Sequence, residues 1–401
     1  MKTRFGVMQR LCKFTTDTAK LLLKYSCRDC FGENHQMFQV VVIGVNPTLQ
    51  SLVRHLCAEH SQLWHCRFFP TVGSYLQAPR LDSQIDLLIF DGLNTTASLE
   101  DKRLVCFQAP LALRVIVTTP EHDDVVLGHL SHFHSFVGSE LNTEHLELLF
   151  SNAARLSELP IGEQERRLVG GLIDFPQLPA LLSGLDKLLA EPNVSSAAVA
   201  GLVSTDPLVV SRLFQLINSP YMGFVSETWN LEVAISRLGY QSLRSLVLLL
   251  AMKGGNVQAE QQAEYQRVLD QILAQAGQAR SYARSSGFNR VLQDQVFIAA
   301  LLSGFGKLVL LQNGREAGDA ELTEVNPAGR GSYLAVSAFL LTLWGFENWV
   351  VAAVLNQHGW QTAGIGAQIS NCLFLARAHL QGAIKLNASE RQQALQAGFV
   401  L

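Results

Sequence analysis

Histidine is nearly missing from the C-terminal part of this chain. Between His145 and His379 there is a single one, His358, and between Glu260 and Arg330 there is none. That scarcity argues against a metal centre built from several imidazoles in this region, because hydrolytic metals need side-chain donors from separate elements. Disulfide-forming cysteine is also scarce. The seven cysteines are an odd number scattered along 401 residues, which excludes the dense framework of a small secreted domain. Net charge is close to balance at -3, so nothing in it recommends nucleic acid as a partner. No apolar run reaches the roughly 18–20 residues that span a bilayer, and the longest, such as Leu246–Met252, read as core helix. A signal peptide's apolar core and cleavage site are absent from the start. No membrane span and a cytoplasmic location are the expectations.

What is present is apolar bulk. The chain is 48% hydrophobic and 16% charged, enough for a large helical core within two or three domains. Residues 1–36 stand apart as a basic extension, with seven Lys/Arg against three acids. Leu11, Phe14 and Leu21–Leu23 could form a short amphipathic helix for a membrane surface or a partner; a frayed extension or a start upstream of Met37 is the plainer reading. Cys27 and Cys30 form a C-x-x-C with Cys12 and His35 nearby, but zinc pairs normally come with a second pair at defined spacing. No metal or other cofactor is expected.

From Met37 the pattern alternates strand and helix. Phe38–Ile43, Ile85–Phe90 and Leu113–Val117 are continuous apolar runs, the mark of strands buried on both faces, and Phe133–Val137 is a further strand. Thr48–His60 and the segment from Glu144 to Phe150 read as helices. Repeated strand-helix units imply a flavodoxin-like, doubly wound parallel sheet over 37–155. The segment resembles a response-regulator receiver domain. The resemblance puts Asp91 at the phospho-acceptor position and Thr118 where the fourth strand supplies a hydroxyl. It also implies an acidic pair after the first strand and a lysine after the fifth; here those places read Gly44-Val45-Asn46 and Ser139-Glu140. Phosphoryl transfer needs a cation to offset charge on the transferred group, and Asp91 alone would hold one poorly. Asp91 is therefore expected to be inactive, in a pseudo-receiver. His129, His132 and His134 read as solvated. Receivers pair through their last helix and sheet face, so the resemblance implies a homodimer by this route.

Residues 151–171 are polar and punctuated by Pro160, Gly162 and Gly170-Gly171, with the linker at 156–171. Residues 172–401 then show only helical periodicity. Their most ordered stretch is Asp206–Arg244. Asp206-Pro207 is a helix start, Leu208, Leu213, Leu216 and Ile217 recur at helical spacing, and Pro220 ends that helix at Ser219. Leu231, Ile235 and Leu238 mark a second helix, closed by Gly239. This punctuation, with the Leu216-Ile217-Asn218-Ser219 run, Tyr221, Gly223 and Ala234-Ile235, resembles the signature of the HDOD domain, an all-α relative of the HD metal-dependent phosphohydrolases found in bacterial signalling proteins.

The resemblance implies a His-Asp metal pair within Leu301–Leu308, where this chain has Ser303 and Gly304, and an upstream histidine, where it has Gln271. His358 matches a surviving family position. Ser is a weak neutral donor and Gly offers no side chain, so the chain is not expected to be an enzyme. Gly304 reads as a site of close helix packing. The remaining working surface is the turn Asn218, Ser219, Tyr221 and Met222 with Trp229, a groove for a partner or simply a fixed helix stop. Trp344 and Trp349 read as core. The reading that follows is a non-catalytic signalling scaffold with a protein partner; the alternative is a nucleotide or cyclic-dinucleotide sensor, with Lys307 as a phosphate partner.

Overall fold

The structure, a computed structural model, describes residues 37–61, 63–79, 84–93, 97–118, 132–170, 179–191, 193–253, 259–313, 333–364, 366–382 and 386–399. The basic extension 1–36 with its C-x-x-C, and His129, lie outside the described residues. The chain divides into two compact units that meet in sequence between Glu158 and Leu159.

The first unit is built on five parallel strands in the order β2-β1-β3-β4-β5. They are β1 (Phe38–Ile43), β2 (Trp64–Phe69), β3 (Leu87–Asp91), β4 (Leu113–Val117) and β5 (Ser135–Val137). Val40–Ile43, Leu87–Phe90 and Leu113–Val117 are buried along their lengths, because helices cover both faces of such a sheet. The helices are α1 (Pro47–Glu59), α2 (Val72–Gln77), α3 (Leu99–Gln108) and α4 (Thr143–Glu158). Asn46 caps α1 by accepting from the Leu49 amide, with Pro47 at the first helical position; reciprocal capping boxes start α2 at Thr71 and α3 at Ser98. The edge strand β2 was not anticipated. Its sequence, WHCRFF, neither alternates nor runs continuously apolar, and only its end residues, Trp64 and Phe69, are buried.

The second unit is helical throughout its described residues: α5 (Glu163–Gly170), α6 (Pro179–Leu189), α7 (Ser196–Val203), α8 (Pro207–Ile217), a 3-10 turn (Pro220–Met222), α9 (Leu231–Leu238), α10 (Tyr240–Lys253), α11 (Ala259–Ser285), α12 (Arg290–Ser303), α13 (Phe305–Gln312), α14 (Tyr333–Leu343), α15 (Asn348–Leu355), α16 (Ala367–Leu380) and α17 (Ala388–Gln396). The polar stretch expected as a linker contains α5, which packs on α14 within this unit; Val169, Gly170 and Glu165 turn inward and the basic Arg167 outward. The long α11 lies against α12 and α16 and forms the centre of the unit.

The punctuation around Asp206 behaves as its residue types dictate. Asp206 Oδ1 accepts from the amides of Leu208 (2.9 Å) and Val209 (3.3 Å). Every residue of α8 that follows is buried. Gly223 and Gly239 take positive φ of 64° and 81°, the conformation that glycine adopts without a Cβ penalty.

The helical span Arg290–Leu311 is 22 residues long and apolar enough to cross a membrane by length and composition, though 78% of its best window is buried inside the protein. It packs as core: Gly304 breaks it into α12 and α13, and Asp294 within it is held by polar partners.

Candidate functional site

Three places can be weighed: the carboxyl end of the sheet, the α12–α13 junction, and the loop between α8 and α9.

At the carboxyl end of the sheet β1 lies between β2 and β3, the switch point where doubly wound folds place their sites. Asp91 ends β3 and is fully buried. Its Oδ2 accepts from the Asn46 amide at 3.1 Å and its Oδ1 from the Leu93 amide at 3.2 Å. Gly44 stands beside it with φ of 132°, and a Cβ there would fall 2.2 Å from the Asp91 Cβ. Where the receiver resemblance implies acidic side chains, the bare Gly44 lets the β1–α1 loop close on the Asp91 carboxylate. Thr118 is buried at the end of β4, its amide bonded to Val137 O, whereas Ser139 and Glu140 are exposed. Asp91 thus staples two loops.

His132 is half-buried, and His134 is not solvated but buried. Its Nδ1 accepts from the Arg114 amide at 3.1 Å, and its Nε2 lies 2.7 Å from Arg114 Nη2. Arg114 Nε donates to His132 O at 2.7 Å. Burial pulls the Arg114 guanidinium below its ordinary pKa, with Cys106 opposing. The group fastens β4 to the start of β5.

The α12–α13 junction is closed in a different way. A Cβ on Gly304 would lie 2.2 Å from Ile272 Cγ1 on α11, and one on Gly306 would lie 1.8 Å from the Tyr333 carbonyl oxygen on α14. Ser303 is buried and donates to Ala300 O at 2.8 Å. Ser337 Oγ donates to Ser303 O or Tyr333 O and accepts from the Gly306 amide at 2.7 Å. Gln271 is exposed, as is His358, whose Nδ1 is 3.1 Å from Leu355 O. Of the positions aligned with the HD pattern, Gln271 and His358 face outward while Ser303 is buried. The polar pair that does sit inside, one turn beyond Gln271 and one residue before His358, is Gln275 with Gln357; Nε2 of the first donates to Oε1 of the second at 3.1 Å. The residues present do not fit the metal that the HD resemblance implies, since a leucine-sized apolar side chain fills the place of the missing carboxylate. Among the described residues no group of three His, Cys, Asp or Glu could hold a metal ion. Lys307 is buried with its ammonium 4.8 Å from the Tyr333 ring centroid, and Arg212 is buried with its guanidinium 4.4 Å from that of Trp344.

The α8–α9 loop is rigid at its base and apolar at its tip. Asn218 bonds Thr228 twice, its amide donating to the carbonyl and its oxygen accepting from the amide, both at 3.0 Å. Ser219 Oγ donates to Leu216 O. The side chains of these two residues hold the turn. The backbone of Tyr221 lies in the 3-10 turn, while its side chain is outside the described part; Met222 is half-buried. Trp229 is a core residue rather than a surface one. It stacks on Phe214 (5.5 Å between centroids), meets Trp349 edge-on (5.1 Å), and donates from Nε1 to Glu347 at 3.2 Å. Trp344 is buried against Phe305, and Trp349 is half-buried. An aromatic flanked by Asn-Ser and a helix start looks the same in sequence whether it faces in or out.

Exposed instead are Phe224 (41%) and Val225 (fully), with Val233 of α9 at 42%. Arg237 fixes this tip: its guanidinium lies 4.7 Å from the Phe224 ring centroid and its Nη1 donates to Ser226 O at 2.7 Å. The far side of the loop is anchored by Asn230, which caps α9 and donates to Asp294 Oδ2 at 2.9 Å. Asp294 also receives Arg280 of α11 and, at 3.4 Å, Arg290. Sequence reasoning missed Val225, Val233, Arg237 and the Asp294 hub; the one visible signal was the unsheltered Gly-Phe-Val step after the turn.

The HDOD domain family model matches residues 175–360. An uncharacterized protein of Treponema pallidum is 26% identical over 136 residues, 34% of this chain, and the match spans 26% of that relative's length. Among solved structures, the MmoQ response regulator of Methylococcus capsulatus is 21% identical, with 56% of this chain and 94% of that chain covered at a TM-score of 0.45. An HDOD domain protein of unknown function from Geobacter sulfurreducens is 19% identical, with 60% and 84% covered at 0.28.

Proposed function

Residues 175–360 are an HDOD domain, and from that premise we propose that the protein is a non-catalytic signal-transduction regulator, acting by holding a protein partner on the α8–α9 loop. The observation that carries this reading is the contrast between a packed α12–α13 junction and a rigid loop that presents Phe224 and Val225 to solvent. A preformed apolar tip loses little conformational entropy on docking, and exposed aromatics are efficient anchors. The pseudo-receiver is the dimerisation or input module; its last helix, α4, exposes Leu148, which a second copy would cover. The cytoplasm is the compartment we assign.

The test is capture with purified wild-type chain and with the F224S/V225S variant. A protein retained by the wild type and lost by the variant, at unchanged thermal stability, supports the reading. Equal retention sinks the proposed surface. The sensor reading has less support, because both Lys307 and Arg212 lie buried against aromatic rings; a thermal shift with any nucleotide of a panel would revive it.

A further inference from the structure

We propose that Cys57 and Cys66 are a redox-responsive dithiol that closes to an intramolecular disulfide, tying α1 to the edge strand β2. The two residues are nine apart, joined by a tight turn in which the amides of Leu63 and Trp64 both donate to His60 O, at 2.9 and 3.0 Å. α1 and β2 therefore run back against each other in fixed register. Arg54 of α1 sits 4.0 Å from the Phe68 ring centroid. One helical turn later and two strand residues earlier, on the same faces, Cys57 meets Cys66. Cys66 neighbours Cys57 closely enough to act on its thiol. Trp64, the next residue of that strand face, stacks on Phe38 and packs on Phe150, so the rung below is anchored as well.

The pair is asymmetric. Cys57 is buried, whereas Cys66 is half-exposed on an edge strand. Burial first, then the neighbouring Cys66, push the Cys57 thiol up. Cys66 is accordingly the sulfur that meets an oxidant, and Cys57 the one that resolves. With glutathione disulfide as oxidant, the Cys66 thiolate attacks one sulfur, forms a mixed disulfide and releases a glutathione thiolate. The Cys57 sulfur then attacks Cys66, forms the Cys57–Cys66 bond and expels the second glutathione, while the Cys57 proton goes to a leaving thiolate. Two protein thiols are oxidised and one glutathione disulfide is reduced to two glutathiones. In a reducing compartment the pair stays open, and a shift in thiol poise closes it.

The test uses the full chain in glutathione buffers of rising disulfide fraction, followed by alkylation and non-reducing peptide mapping. The expected result is a Cys57–Cys66 linked peptide that becomes the main form at high disulfide fraction and disappears with dithiothreitol, while the buried Cys106 and Cys372 stay free. C57S should then accumulate a stable Cys66–glutathione adduct, and C66S should leave Cys57 unmodified. A wild-type chain that carries a lasting Cys66–glutathione adduct without the linked peptide would overturn the proposal, as would free Cys57 and Cys66 at excess glutathione disulfide.

Discussion

Asp91 at the end of β3 and Ser303-Gly304 at the end of α12 are the places where the two resemblances imply an acidic site, and the structure closes around them in opposite ways. The sheet keeps its carboxylate and closes loops over it. The helix junction keeps no carboxylate and fills the space with Ile272. The difference follows from where free amides are found. The ends of strands and the loops after them present unpaired N–H groups, and Asp91 takes those of Asn46 and Leu93. Inside a helix the amides are already bonded four residues back, so a buried carboxylate there must find charged partners or leave. Asp294 found Arg280, Arg290 and Asn230. At Gly304 the space that a side chain would take is filled by Ile272, and apolar packing is the cheaper filling.

This contrast can be broken most forcefully at Gly306. A Cβ 1.8 Å from the Tyr333 carbonyl must push α13 away from α14. G306A should cost more than ~3 kcal/mol by urea unfolding, at the upper end of overpacking effects. Next is the carboxylate that did find partners. D294A leaves the partly buried Arg280 without its anion and frees Asn230, and is expected to cost about 3 kcal/mol, read by the same unfolding experiment.

Asp206 sharpens the comparison through pH. It is buried, and burial raises its pKa to about 6 in spite of the opposing amides of Val209 and Leu208. A folded-state value above the unfolded one means that the native state binds the extra proton. The stabilising contribution is thus complete below about pH 4 and is lost as pH rises through about 6, a change on the order of 2–3 kcal/mol. D206N keeps an N-cap oxygen and should remove that slope from a stability profile between pH 4 and 7. A persisting slope would point to another titrating group.

Smaller still is the staple itself. D91A removes the acceptor for two amides and should cost ~1–2 kcal/mol, against less than about 1 kcal/mol for S303A, whose hydroxyl only bonds back within its helix. If S303A proves the costlier of the two, the helix junction has retained more polar structure than its geometry indicates. Last comes F224S/V225S, expected to leave stability within ~0.5 kcal/mol while abolishing partner retention.

The sequence disclosed those parts of the fold that rest on local chemistry. Asp206-Pro207, Asn218-Ser219-Pro220 and Gly239 punctuate helices through bonds within a few residues, so their outcome was legible. Three buried strands announced themselves as apolar runs. The edge strand β2 did not, because its middle residues are only partly buried and carry a mixed pattern. Site residues were harder to read. Gln271 and His358 were aligned to positions that the fold turns outward, and the inward pair, Gln275 and Gln357, lies one turn and one residue away. Side-chain direction on a helix rotates by ~100° per residue, so a small alignment shift exchanges core for solvent. Trp229 and His134 went the same way: each was placed at a surface, and each is buried by residues distant in sequence.

The account stands most directly on the claim that the α12–α13 junction cannot house a hydrolytic metal. The measurement is metal content of the full chain by mass spectrometry, after incubation with manganese or iron and desalting. Zinc is left aside because Cys27 and Cys30 could take it independently. The account expects far less than one manganese or iron per chain, unchanged in G304A. One equivalent retained by the wild-type chain and released by substituting Ser303 or Gln275 would contradict it.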